Sequence, residues 1–173
     1  HLSSEFGSYL GLFGLVDANE ARIANVTLRD PNVISEAGRY VGALVGLFAN
    51  GTLTGCHVQG GNVHGLGLVG GLLGENVDGT VADCTVAATV GGASRIGGLA
   101  GANLAGRITR CRATGTILGE VASWSVGGLL GENHEGTVTA CGAGATVQGG
   151  DRVGGLIGEN IAAADIHFDI FPF

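Results

Sequence analysis

The sequence predicts an all-β fold: a parallel β-helix, or β-solenoid, of five to six coils, with three short strands per coil and aromatic-rich ends. Two observations predict it. Close copies of one glycine-rich block, VGGLLGEN at positions 126–133, recur through the chain, and a cysteine follows four of the copies at a constant distance. Self-similarity with a fixed period of about 20–50 residues is typical of solenoids and propellers, and the coils predicted here are about 27–32 residues long.

The copies of the block define the period. Positions 69–76 read VGGLLGEN, 96–103 read IGGLAGAN and 153–160 read VGGLIGEN, while less regular copies stand at 41–46 (VGALVG) and 9–14 (YLGLFG). The last glycine of each copy is called the block glycine here, and its six occurrences are Gly14, Gly46, Gly74, Gly101, Gly131 and Gly158. Their sequence numbers increase in steps of 32, 28, 27, 30 and 27. A period of about 28 residues, within the range typical of solenoid repeats, is therefore maintained along most of the chain.

The rest of each unit repeats as well. A glycine commonly stands five residues after the block glycine, and an aliphatic residue follows two positions later. Ten residues after the block glycine, four units carry a cysteine: Cys56, Cys84, Cys111 and Cys141. Short runs of small and β-branched residues, separated by Gly, Asn and Asp turns, are typical of strands. Each unit therefore predicts one coil with three strands.

The chain divides into three parts. Residues 1–8 are a polar lead-in that covers the first coil, residues 9–160 form the solenoid, and residues 161–173 form an apolar tail. The phenylalanines stand toward the two ends, at 6, 13, 48, 168, 171 and 173. Because an end coil must shield open core and unpaired strand edges, we expect the aromatic residues to act as end covers. The tail residues that could instead insert into a second copy are Phe168, Ile170, Phe171 and Phe173.

In four of the units an asparagine stands two residues after the block glycine. These residues are Asn76, Asn103, Asn133 and Asn160. In register, their side-chain amides can hydrogen-bond along the stack and to the turn backbone. The position predicts a structural asparagine column, and contact with a ligand is the alternative.

The cysteines should also form a column. Spacings of about 27–30 residues fit no zinc motif, since zinc sites use tight cysteine pairs. Parallel side chains about 4.8 Å apart are too far from each other for an unstrained disulfide. We expect buried free thiols, with bridges between Cys56 and Cys84 and between Cys111 and Cys141 as the alternative.

Glu75, Glu132 and Glu159 form a third column, which Ala102 interrupts. Two carboxylates one coil apart could share a calcium ion with turn carbonyls, so these three residues are weak calcium candidates. The sequence lacks a dense Asp/Asn/Gly calcium loop, which favours solvated acidic turns instead. No other cofactor is expected.

Composition excludes several classes of function. The net charge is −7 and the eight basic residues are all arginines scattered along the chain, which disfavours a nucleic-acid or anionic-membrane partner. No apolar run reaches the about 18 residues of a membrane span. No nucleophile, base or carboxylate pair stands out at one repeat position, so we expect no enzymatic activity.

The pattern VGGLxGxNxxGxIxxCxAxGxV, present at positions 69–90, 96–117 and 126–147, resembles the GLUG repeat. Its Gly-Leu-any-Gly core is here Gly128-Leu129-Leu130-Gly131, and the resemblance covers about residues 9–160. GLUG repeats occur in large secreted and surface proteins, including adhesin-like proteins and non-catalytic regions of immunoglobulin-A-cleaving peptidases. The resemblance implies an extracellular parallel β-solenoid and assigns no catalytic or ligand-binding residue.

Together these observations predict a non-enzymatic, extracellular structural or adhesive β-solenoid. The concentration of aromatic residues at the ends favours a subunit that stacks end to end with its own copies in a surface filament. The alternative is a surface module of a larger secreted protein that binds a glycan, a host protein or calcium, which the glutamate column favours.

Overall fold

A computed structural model describes residues 1–4 and 8–162, together with the backbone of 166–167. The described residues form 21 strands and no helix, and the named strands pair in parallel in three sheets. The chain winds through about six coils, with three strands per coil. The predicted fold class is confirmed. Among the described residues there is no helix of the length and apolarity needed to cross a membrane.

The strands are numbered in chain order and fall into sheets A, B and C. Sheet A contains β1 (Leu2–Ser3), β4 (Thr27–Arg29), β5 (Asn32–Ile34), β6 (Arg39–Gly42), β9 (His57–Gly70), β12 (Thr85–Gly97), β15 (Arg112–Gly127), β18 (Gly142–Gln148) and β19 (Asp151–Gly154). Sheet B contains β2 (Phe13–Asp17), β7 (Val45–Ala49), β10 (Leu73–Val77), β13 (Ala100–Leu104), β16 (Leu130–His134) and β20 (Ile157–Ile161). Sheet C contains β3 (Arg22–Ala24), β8 (Thr52–Thr54), β11 (Thr80–Ala82), β14 (Arg107–Thr109), β17 (Thr137–Thr139) and β21 (Ile166–His167).

Equivalent residues of successive coils pair directly with one another. In sheet C, for example, Val81 pairs with Leu53 on one side and with Ile108 on the other. Inward aliphatic columns of this kind fill the interior, because each coil buries the apolar face of its neighbours. Eight side chains from two of these columns have no exposed surface: Val41, Val69, Ile96, Val126, Leu53, Val81, Ile108 and Val138. Slipping one strand by a single residue would turn its apolar side chains outward, so the burial pattern fixes the register.

The corner that precedes each glycine-rich block has a left-handed residue. Five equivalent residues have φ between 47° and 57°: Tyr40, Leu68, Arg95, Ser125 and Arg152. Residues other than glycine rarely adopt this conformation, so its recurrence in five coils shows that the corner requires it. We call these five residues the corner row. The corner row lies beside the outward face of sheet B and determines which side chains reach that face.

One coil is longer than its neighbours at this corner. Gly92 pairs with Gly119 and Ser94 pairs with Trp124. An advance of two residues along β12 therefore corresponds to an advance of five residues along β15. The three extra residues account for the spacing of 30 between the block glycines Gly101 and Gly131. Val121, in this insertion, is 99% exposed. The insertion therefore bulges into solvent while the strand on either side of it stays in register.

The two ends of the described stack are less buried than the middle. In the first coil, Phe13 stands in the inward column that Val45 continues, yet 41% of its surface is exposed. Phe48 departs from the expectation that phenylalanines cover the ends, because it lies fully buried inside the second coil. Phe6 and the predicted assembly residues Phe168, Ile170, Phe171 and Phe173 lie outside the described residues.

The proposed boundaries of the solenoid stay a prediction. Within the lead-in, β1 pairs with β5 and so adds a strand to sheet A. At the other end, β20 extends to Ile161, and the backbone of β21 in the tail pairs with β17. Both flanking segments therefore contribute short strands to the sheets.

Candidate functional site

An open groove of about 560 Å³ lies between the corner row and the outward face of sheet B. It spans four coils, from the one that contains β6 to the one that contains Trp124. The lining side chains that carry charge or an aromatic ring include Arg39, Tyr40, Glu75, Arg95, Trp124 and Glu132. The volume falls within the range of small-molecule sites, roughly 300–1,000 Å³.

Two members of the glutamate column, Glu75 and Glu132, lie on the floor of this groove. Glu75 pairs with Ala102, Ala102 pairs with Glu132, and Glu132 pairs with Glu159 along sheet B. Ala102 therefore leaves a gap in the column, between Glu75 and Glu132. Beside this gap, the row that precedes the corner row also has small residues, Gly67 and Ser94, which pair with each other. The groove exists because these three positions carry little or no side chain.

Arginines of the corner row neutralise two of the three glutamates. Arg95 donates a hydrogen bond from Nε to Glu132 Oε2 at 2.5 Å, and Arg152 donates one from Nη1 to Glu159 Oε2 at 2.7 Å. Ser125 also donates to Glu159 Oε2, at 2.7 Å. The hydrogen bond from Ser125, followed by that from Arg152, lowers the pKa of Glu159.

The predicted calcium candidates are not gathered into one site. Glu75 and Glu132 are separated by the coil of Ala102, and Glu132 and Glu159 are each held by an arginine. Throughout the part of the chain that the structure describes, no group of three or more Asp, Glu, His or Cys side chains could hold a metal ion. The arrangement favours ion pairs with arginines over calcium ligation.

Glu75 differs from the other two members of the column. No ion pair to its carboxylate is found among the described residues. Its side chain is partly buried, and burial raises its pKa above the ordinary value of 4.5; Arg95 opposes this shift and Glu132 adds to it. Glu75 is thus a carboxylate on the groove floor whose hydrogen-bonding capacity is open to a ligand.

Trp124 stands at one end of the groove and is held by two arginines. The guanidinium carbons of Arg95 and Arg152 lie 5.2 and 5.6 Å from the centre of its ring, within the range of cation–π contacts. The side chain remains 41% exposed. At the other end, Tyr40 stacks on Tyr9 with ring centres 4.9 Å apart. Both aromatic side chains are therefore held in place before any ligand arrives.

The asparagine column lies inside the coil. The Nδ2 groups of Asn76, Asn103 and Asn133 donate to Oδ1 of the next asparagine at 2.7, 2.8 and 2.9 Å, and the last acceptor is Asn160. Each of these three amides also donates to the carbonyl of the glycine three residues later, at 2.9–3.1 Å. The column ends at Asn76, whose Oδ1 has no partner among the described residues because Phe48 occupies the same position one coil earlier.

The cysteine column is also internal. All four cysteines are free and buried, and the amides of Cys56 and Cys111 donate to the sulfurs of Cys84 and Cys141 at 3.4 and 3.3 Å. Contact with the adjacent thiols and burial raise the pKa of Cys56 and of Cys111. Cys84, between them, accepts hydrogen bonds that lower its pKa, but none of its surface is exposed. The cysteines therefore act as small core residues beyond the reach of solutes.

The block glycines allow adjacent coils to approach closely. A Cβ atom at Gly74, Gly101, Gly131 or Gly158 would lie 2.4–2.5 Å from backbone atoms of a neighbouring segment. Contacts that short do not occur for real side chains, so these positions accept only glycine without movement of the backbone. This explains in physical terms why the block glycine recurs.

Sequence reasoning finds the glutamates but misses their partners. Arg95, Ser125 and Arg152 precede the block by one position and vary in type, so no repeated letter marks them. Trp124 stands out in the sequence only as a lone aromatic residue of the central coils. The signal that could have found it is the lengthened spacing of 30, which indicates an insertion beside that residue.

Residues 92–118 match the family model described as the GLUG motif. The chain carries a GLUG motif. The matched segment includes Arg95 and Ala102 of the groove and confirms the resemblance for that part of the sequence. No curated protein matches the chain.

Among solved structures, one similar in fold to this GLUG-containing chain is described as a "putative immunoglobulin A1 protease" from Bacteroides ovatus. The TM-score is 0.65 at 20% sequence identity, and the similarity covers 90% of this chain and 52% of the other. This chain therefore spans about half the length of that structure. At such low identity the comparison shows the fold alone.

Proposed function

We propose that the chain is a non-enzymatic structural module of an extracellular protein, and that its coils extend by stacking on those of another copy. The observation that carries this proposal is the open edge of sheet B in the first coil. Strand β2 pairs with β7 and with no other described strand, and Phe13 in its inward column is 41% exposed. An open edge of parallel strands with exposed core residues is a template for further pairing.

The geometry of the stack supports a head-to-tail contact. All named strands pair in parallel. The first coil of one copy could therefore pair with the last coil of another copy, with the same strand direction and sheet order as two neighbouring coils within the chain. A heterologous contact of this kind generates a filament when its rotation does not close. An extracellular location is supported by the GLUG motif in residues 92–118, given where such repeats occur.

The groove supports a structural role over catalysis. Glu132 is engaged by Arg95 and is separated from Glu75 by a whole coil, so the two do not act as one catalytic pair in this arrangement. The buried cysteines offer no accessible nucleophile. The described side chains instead bind one another across coils, which stabilises the stack.

Sedimentation velocity over a range of protein concentrations, combined with negative-stain electron microscopy, tests the proposal. We expect concentration-dependent linear assemblies of the native chain. Phe13→Glu places a charge on the open end and should abolish assembly, whereas Val121→Glu, at a fully exposed position in the insertion, should leave it intact. A native chain that stays monomeric at all concentrations, or equal loss of assembly in both variants, would contradict end-to-end stacking.

A further inference from the structure

The groove on sheet B is more than a gap between ion pairs. Its floor is made by the small residues Gly67, Ser94 and Ala102, while the equivalent positions in other coils carry Arg39, Trp124 and Glu132. The depression is therefore bounded at both ends along the solenoid axis. The coils of Tyr40 and Trp124 are three strand spacings apart, about 14 Å.

We propose that this groove binds a neutral, hydroxyl-rich oligosaccharide that lies extended along the solenoid axis. This inference goes beyond the structural role and does not depend on end-to-end assembly.

The charges that line the groove favour a neutral ligand over a polyion. Two arginines, Arg39 and Arg95, and two glutamates, Glu75 and Glu132, give this set no net formal charge. A nucleic acid or another polyanion would be repelled by the glutamates, and a basic peptide by the arginines. Hydroxyl groups donate and accept hydrogen bonds, so they can satisfy carboxylates and guanidinium groups at once.

Glu75 provides the strongest single contact for such a ligand. Its carboxylate is partly buried and is not paired with a cation among the described residues. Hydrogen bonds to a charged group are stronger than those between neutral groups. Ligand hydroxyls that donate to Glu75 would replace the water that burial has partly removed. The floor of the groove thus contains an acceptor placed for hydroxyl donors.

The two ends supply the apolar contacts that a sugar ring requires. Trp124 is held by the guanidinium groups of Arg95 and Arg152 while 41% of its surface stays exposed. Tyr40 is fixed by its stack on Tyr9. Amphipathic rings present an apolar body together with a polar group, and the faces of pyranose rings are apolar as well. Pre-ordered rings also reduce the entropy lost on binding.

Tryptophan fluorescence reports directly on ligand binding in the groove, because Trp124 is the only tryptophan of the chain and lines the groove. The full chain would be titrated with neutral hexasaccharides (cello-, manno- and chito-hexaose), with an anionic oligogalacturonate and with a lysine-rich hexapeptide. Tryptophan fluorescence and calorimetry would be recorded in parallel. We expect at least one neutral oligosaccharide to give a saturable change in both signals.

Two variants test the location. Glu75→Gln should weaken binding at least about tenfold, because a hydrogen bond to a charged group is lost. Ala102→Gln should fill the floor and abolish binding while Glu75 is retained. The matched control, Glu20→Gln, makes the same change of charge at an exposed residue outside the groove and should leave the affinity unchanged.

Several outcomes would overturn the proposal: no response to any neutral oligosaccharide, equal affinity in the native chain and both groove variants, or binding of only the peptide or the anionic sugar. Release of reducing ends from a bound sugar would support the site but contradict the non-enzymatic function. If the native chain formed no filaments but still bound a neutral oligosaccharide, only the proposal of end-to-end assembly would be contradicted.

Discussion

At the scale of single residues, the asparagine column and the turn glycines depend on each other. A Cβ atom at Gly106 would lie 2.1 Å from Asn76 Nδ2 and 2.6 Å from Asn103 Oδ1, and Gly136 stands in the same relation to the next pair. The asparagine amide takes the space that a side chain at the glycine would fill. The repeat therefore keeps Asn and Gly three residues apart for one physical reason.

Replacing one central asparagine should destabilise the fold. In Asn103→Ala, the buried Oδ1 of Asn133 loses the amide that donates to it along the column, and the carbonyl of Gly106 loses its side-chain donor. Each unsatisfied buried group costs about 1–3 kcal/mol, so we expect a loss of about 2–5 kcal/mol in the free energy of unfolding, measured by urea denaturation. Asn160→Ala, at the exposed end of the column, should cost less than about 1 kcal/mol. Equal effects would show that the column does not stabilise the interior.

The raised pKa of Glu75 predicts a stability that depends on pH. Because its pKa is higher in the folded than in the unfolded chain, ionisation costs folding free energy as pH rises through that interval. Glu75→Gln should therefore raise the melting temperature at neutral pH, and the difference should vanish near about pH 3, where the carboxyl is protonated in both states. Thermal unfolding at the two pH values checks this, with Glu20→Gln as the exposed control. A variant that is less stable than the native chain at neutral pH would contradict the prediction.

The sequence predicts the positions of some of these residues but not the contacts of others. The asparagine, cysteine and glycine positions are predictable because each repeats at one spacing in every regular coil. The contacts of Glu132 with Arg95 and of Glu159 with Arg152 could not be predicted, since the partners lie 37 and 7 residues apart in sequence. Those contacts depend on the left-handed corner, which residues of several types adopt at this position.

At the scale of elements, the corner before each block decides what the solenoid presents to solvent. The strands themselves are nearly interchangeable between coils, since Leu73, Ala100 and Leu130 follow one another in a single inward column. Differences between coils are concentrated where β9, β12 and β15 turn toward sheet B. The repeated short runs of small and β-branched residues predict the strands, but they could not predict this corner, which has no fixed residue type.

The insertion in β15 should be dispensable for folding. Deletion of residues 120–122 would leave Gly119 and Trp124 two steps apart, as Gly92 and Ser94 are in the preceding coil. We expect the deletion to keep the β-sheet circular dichroism spectrum and to change stability by no more than about 1 kcal/mol, because short changes in exposed loops cost little. Deleting three residues inside a strand, 130–132, makes a matched comparison. It should prevent folding, because an odd shift exchanges the inward and outward faces. If both deletions had the same effect, the register would not explain the fold.

At the scale of the whole molecule, the stack behaves as a one-dimensional array in which each coil contacts its neighbours. Its free energy of unfolding is then approximately the sum of the contributions of the individual coils and of the interfaces between neighbouring coils. The ends are where such an array is weakest, as the exposed Phe13 of the first coil shows. The period of the sequence predicts this architecture, but the groove could not be predicted, because it depends on which coils carry small residues side by side.

The array also predicts how the chain tolerates loss of a unit. Deleting positions 75–101 removes one full period between block glycines and joins Gly74 to Ala102. Every strand downstream would then meet its partner in register, so we expect a shorter solenoid that still folds, with a lower unfolding midpoint because one coil and one interface are missing. Deleting positions 75–88 removes about half a coil and would place the strands of one sheet against those of another. Circular dichroism and thermal unfolding should therefore show a folded protein for the full-period deletion and an unfolded one for the half-period deletion, although the latter removes fewer residues. A chain whose stability followed the number of residues removed, regardless of period, would not be an array of stacked coils.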